Sequence, residues 1–234
     1  MSMVVTINGK ACDTAYRSYL AHKEVEIATV KKDGADVYGS DGIIDYTELP
    51  AGRPTFNNRA VVAVLLYRGT PEQQAEMVNQ ITADVHGNVC TMVFGDEPTW
   101  IYRGRCEVSW EPHQTLPRKA CMITITMDGN PYKEKNTTST KTLNSSASGT
   151  SNSISVTALS KIDSIKNNST TYAIWVYVQN YPFKIPAGGT LTNLLGYMIP
   201  AGSVSLKCVL KDANGETISS GSGTATMILR EVSL

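Results

Sequence analysis

Apolar and polar positions alternate with a period of two through most of this chain, and with a helical period in one place. Residues 60–67 run Ala-Val-Val-Ala-Val-Leu-Leu-Tyr without a charge, which predicts a strand covered on both sides. Over residues 71–86 the period lengthens: Met77, Val78, Ile81 and Val85 fall in a stripe about 100° wide, with Glu72, Glu76, Asn79 and Gln80 opposite. Both ends of this helix are marked. Thr70 can cap the free amides, Pro71 suits the first turn, Gln73 completes a capping box, and Gly87 supplies a left-handed stop. Its apolar stripe is expected to pack on the sheet that holds residues 60–67, each buried aliphatic contributing roughly 1.5–3 kcal/mol.

The remaining pattern is β. Residues 4–7 read as a strand entering a type I′ turn at Asn8-Gly9. Residues 13–20 fit neither period, and 23–30 read as a strand with Val25 and Ile27 inward that ends at Lys32-Asp33-Gly34. Residues 41–48, Asp-Gly-Ile-Ile-Asp-Tyr-Thr-Glu, match the second half of a calcium loop. Val37 and Gly39 stand where its first carboxylates belong and Pro50 interrupts the helix that should follow, so the segment reads as a turn into a strand over 43–46. Residues 88–94 form a strand apolar on both faces, Gly95-Asp96-Glu97-Pro98 a turn, and 100–105 a further strand. Over 105–110, Cys106, Val108 and Trp110 alternate with Arg105, Glu107 and Ser109, so one side of this sheet meets water; Cys121, Ile123, Ile125 and Met127 repeat the pattern.

A first domain is expected over residues 1–134. Between 136 and 153 all but Lys141, Leu143 and Ala147 are Ser, Thr, Asn or Gly, too polar for a core, so 135–153 reads as a linker or as a Thr-rich edge strand with its loop. A second domain follows over 154–234. There Tyr172, Ile174, Val176 and Val178 alternate with Ala173, Trp175 and Tyr177, residues 204–210 alternate inward, and Asn214-Gly215 marks a hairpin. Ile185-Pro-Ala-Gly188 recurs as Ile199-Pro-Ala-Gly202, two similar turns feeding strands. The fold class expected is mainly β: an N-terminal β-sandwich with one packed α-helix, then a smaller C-terminal all-β sandwich.

Composition narrows the function. The 234 residues carry 21 Lys plus Arg against 21 Asp plus Glu, so no global field holds nucleic acid or an anionic membrane. The N-terminus has no basic stretch followed by an apolar one, and no run approaches the roughly 18 apolar residues of a spanning helix, which predicts a chain made in the cytoplasm without a membrane anchor. The five cysteines form no C-x-x-C pair, and Cys90, Cys106 and Cys121 sit in apolar strand patterns, as buried thiols do. His22, His86 and His113 lie in no metal-ligand spacing; His86 closes the helix, where its cation would favour the dipole. No catalytic motif, phosphate-cradling loop, cofactor site or metal site is present, and no enzyme is expected. Trp175 and Tyr177 remain as candidate glycan or partner contacts: they form either an exposed stacking platform or the second layer of a sandwich core.

Over about the first 133 residues the chain resembles the distal tail (Dit) proteins of long-tailed bacteriophages. The resemblance is carried by Asp41-Gly-Ile-Ile-Asp45, Arg53-Pro-Thr-Phe-Asn-Asn-Arg59 leading into the 60–67 strand, the capped helix, Trp100-Ile-Tyr-Arg-Gly-Arg105, and Ile123-Thr-Ile125 through Pro131-Tyr132-Lys133, in that order. It implies a structural component of the virion tail tip, or baseplate. That component is a hexameric ring joining the tail tube to the tail-tip hub, a tail-associated lysin and the receptor-binding protein, with a lumen through which DNA passes. The competing readings are a carbohydrate-binding module and another ring or tube protein of the same tail.

Overall fold

Asn8 and Gly9 both take positive φ, 49° and 79°, the backbone a type I′ turn demands, and they join β1 (Val5–Ile7) to β2 (Lys10–Ala11). The computed structural model that shows this describes residues 4–32, 34–36, 43–45, 47, 53–116, 118–178, 180–192, 194 and 197–234. The chain divides into two units, Met1–Glu134 (with Leu234) and Lys135–Ser233.

In the first unit a single helical turn, α1 (Cys12–Ala15), leads to β3 (Ser18–Val25), and a separate hairpin pairs β4 (Gly34–Asp36) with β5 (Ile43–Asp45). The other residues of the calcium-loop-like run, apart from Thr47, lie outside the described residues. Then come β6 (Arg59–Arg68), α2 (Pro71–Val85), β7 (Val89–Phe94), β8 (Trp100–Pro112) and β9 (Ala120–Gly129). The antiparallel order is β3-β6-β9-β8-β7-β1-β2. Thr70 and Gln73 form the reciprocal capping box and Gly87 has φ 74°. Val78, Ile81 and Val85 enter the core formed by Val61, Ala63, Leu65, Cys106, Ile123, Ile125 and Met127. Within the sheet, α2 lies against β8 and β9 rather than on β6 itself.

Three expectations need correction. Among the described residues only one face of β6 is sealed: Val61, Ala63 and Leu65 are inaccessible, whereas Ala60, Val62, Val64 and Leu66 are half-buried with no described layer over them. Ile27 does not point into the core. The ladder runs past Val25 in unbroken register, with Glu26 N–H on Ala60 O (3.0 Å) and Lys31 N–H on Thr55 O (2.8 Å), but the core ends at Val25 and Ile27 is 88% exposed. Trp110 keeps its place in the alternation yet overhangs the core, 47% exposed. His86 caps the end of α2, and its Nδ1 accepts the backbone N–H of Val108 at 3.0 Å.

β3 is an edge strand, and it is blunted in two ways. A bulge interrupts its register between Leu20 and His22, and Lys23 turns toward the core side with its Nζ 4.5 Å over the Phe94 ring.

The polar stretch is strand. β10 (Lys133–Ser146) and β11 (Thr150–Val156) bury Leu143, Asn152 and Ile154, and the Asn152 amide bonds both the N–H and the O of Asn144 (2.7 and 2.8 Å). The second unit continues with β12 (Ser160–Asn167), β13 (Ala173–Val178), β14 (Tyr181–Ile185), β15 (Thr190–Leu191), β16 (Met198–Ile199), β17 (Gly202–Lys211) and β18 (Ser222–Ser233). One layer has the antiparallel order β14-β13-β17-β11; in the other, β12 pairs β18, β15 and β16. The two Ile-Pro-Ala-Gly turns thus flank the two short strands that border β12, and Gly188 and Gly202 both take positive φ. Asn167, fully buried, donates to the carbonyls of Tyr172, Ile185 and Pro186 and accepts from Ser169 N–H, tying the first of these turns to the strand.

Candidate functional site

In the first unit, register gathers the outward side chains into rows. Tyr19 stands opposite Leu66, Leu66 opposite Met122 and Met122 opposite Glu111; the row containing Val62 runs from Glu24 through Thr126 to Glu107. The result is an apolar stripe along β6 with carboxylates on both margins. Tyr19 is 56% exposed at one end of it.

At the turn between β7 and β8 lies a polar cluster. Lys23 Nζ meets both oxygens of Asp96 (2.9 and 3.1 Å), Tyr102 donates to Glu97 (2.6 Å), and Lys133 Nζ lies 3.3 Å from the other Glu97 oxygen. The Tyr102 hydrogen bond, helped by both lysines, holds the Glu97 carboxyl below its ordinary range, and the Lys23 hydrogen bond does the same for Asp96. Arg59 is buried with its guanidinium 5.2 Å from the Tyr102 ring centroid, and desolvation lowers its pKa. The two lysines offset the two carboxylates, while Arg59 Nε and one of its terminal nitrogens are buried without a hydrogen-bond partner among the described residues. Among the described residues no group of three or more His, Cys, Asp or Glu could hold a metal ion. No helix among them is long and apolar enough to cross a membrane.

In the second unit, Trp175 and Tyr177 share the outward side of β13 while Ile174, Val176 and Val178 fill the core. They are therefore not a second core layer. Trp175 stands opposite Lys184 and Val209, and Lys211 Nζ lies over its ring at 5.0 Å. Tyr177 instead borders a cleft of about 210 Å³, floored by Val178, Ile199 and Leu206 and edged by Lys207. The two aromatics thus do not form one open platform. Sequence reasoning missed this cleft because β16 is brought beside β17 by pairing with β12; the recurring Ile-Pro-Ala-Gly was its available signal. A second cleft of about 190 Å³ is lined by Thr137, Thr138, Ser139, Ser155 and Ser160 with Lys135 and Lys141, foreshadowed by the Ser/Thr run.

No protein-family model matches the chain, and no curated protein does. Among solved structures it is similar to the crystal structure of the Dit protein (gp 19.1) of phage SPP1, with a TM-score of 0.58 over 100% of both chains at 11% identity. The chain has a distal tail protein fold. At this identity the likeness concerns the fold, and it extends beyond the first 133 residues on which the sequence resemblance rests. The mainly-β class and the Dit resemblance are both borne out. The SPP1 Dit is described as a paradigm of the hub adsorption apparatus in phages infecting Gram-positive bacteria.

Proposed function

We propose that this chain is a distal tail protein of a long-tailed phage, whose copies close into a hexameric ring at the tail tip between the tail tube and the tail-tip hub, leaving a lumen for DNA. The observation that carries this reading is the fold likeness to the SPP1 Dit along the entire chain. Two physical features support it. The first unit has apolar area left over after its own core is filled, along the outer side of β6, as an assembling subunit needs. A chain of zero net charge also carries no global field that would hold passing DNA.

Light scattering on the purified chain, with electron microscopy of the same fraction, tests the reading. A particle of about six 25.3 kDa chains with a central hole is expected. A monomer at every concentration, with glycans binding at Tyr177, would replace the ring by the carbohydrate-binding alternative. That alternative has less support, since Lys211 occupies the Trp175 ring face a sugar would stack on.

A further inference from the structure

Two surfaces of the first unit differ in shape and are opposite in charge. One is the outer side of β6, where Val62, Val64 and Leu66 form a flat, half-buried stripe between Glu24 on β3 and Glu107 and Glu111 on β8. Neither Glu107 nor Glu111 has an ion-pair partner among the described residues. The other is the extension of β3 over residues 26–32, held to residues 55–60 by backbone hydrogen bonds of 2.8–3.0 Å. It carries Ile27, 88% exposed, and on the same side Lys31, exposed and without an ion pair among the described residues. A β-branched aliphatic so fully exposed, on a backbone this firmly paired, gains nothing for its own unit.

The register fixes how these surfaces face. Side chains alternate along an extended strand, so Ile27 and Lys31 follow Val25, on the core side of the sheet, while the acidic stripe lies on the other side. The same copy therefore cannot bring them together, and a two-fold contact, which uses one face of each copy, cannot engage both surfaces at once. A head-to-tail contact places basic ribbon against acidic face, and repeated around an axis it closes a ring.

We infer that the ribbon of one copy docks on the acidic-rimmed β6 face of the next, with Ile27 against the apolar stripe and Lys31 against Glu107 and Glu111. This rests on the ring reading and names the contact that builds the ring.

Charge reversal in the full chain tests it. Lys31→Glu, and separately Glu107→Lys with Glu111→Lys, change exposed side chains only, and their melting temperatures should match the parent. Each variant is expected to raise the concentration for half-assembly at least tenfold by light scattering, as is Ile27→Asp. All three reversals combined should restore assembly. Rings that persist in both reversed variants, or a combined variant that stays monomeric, would overturn this contact and leave the ring reading standing. A parent chain that is monomeric throughout would overturn both, and is a distinct result.

Discussion

All five thiols are buried. Burial, and for Cys106 the neighbouring Cys90 as well, pushes the Cys12 and Cys106 thiols up to about 12, and burial pushes Cys208 up to about 11. Near neutral pH their thiolate population is below about one in a thousand. Native protein should therefore resist a thiol reagent such as an aromatic disulfide for hours and react at once in denaturant. Fast labelling of Cys90, Cys106 or Cys121 in the native state would show a core more open than this structure. Glu97 sets an acid limit of the opposite kind. Its carboxyl is held low in the folded state, so its contribution to stability is complete above the free glutamate value of about 4.3 and is lost as the pH falls through the folded value. The melting temperature should drop on acidification from pH 5 to pH 3, less steeply in Glu97→Gln than in the parent. Equal slopes would assign the acid sensitivity to other carboxylates.

Helix α2 shows how much an element can declare about itself. Its capping box, its proline and its buried stripe were legible because each depends on residues within one or two turns. Gly87, at φ 74°, would bring an added Cβ within 4 Å of no other atom. Gly87→Val should therefore cost about 1–2 kcal/mol, from backbone conformation alone. Chemical denaturation measures this; an unchanged midpoint would mean that the chain relaxes its turn without loss. Less was legible in the strands. Alternation says which side of a strand a residue faces, not whether anything lies on that side, and this is why Ile27, Trp110 and the outer side of β6 read as covered. Residues 136–153 looked too polar for a core because their stability comes from partners distant in sequence: β11 pairs with β17, and Asn152 is satisfied partly by the Leu206 carbonyl. For Trp175 and Tyr177 alternation leaves open whether their side of β13 is a platform or a core layer, and only cross-strand register reveals Lys211 over one ring and the cleft beside the other.

At the scale of the whole molecule, the proposed ring assigns assembly to the first of the two units. A fragment covering residues 1–134 should still form the ring, because the ribbon and the acidic face both lie within it. A fragment covering 135–234 should be a folded monomer; its start is set by β10 and β11, whose strands a later start would remove. Both can be compared by light scattering at several concentrations, and a monomeric first fragment beside an oligomeric second would reverse the assignment. The blunted edge of β3 carries a consequence for timing. A copy that has yet to meet its neighbours is open to the commonest accident of β-proteins, growth strand upon strand into aggregates without end. A bulge and an inward lysine close that route at the β3 edge without touching the surfaces proposed to meet between copies. In the proposed ring, copies can therefore accumulate at high concentration and still stop growing when the circle is complete.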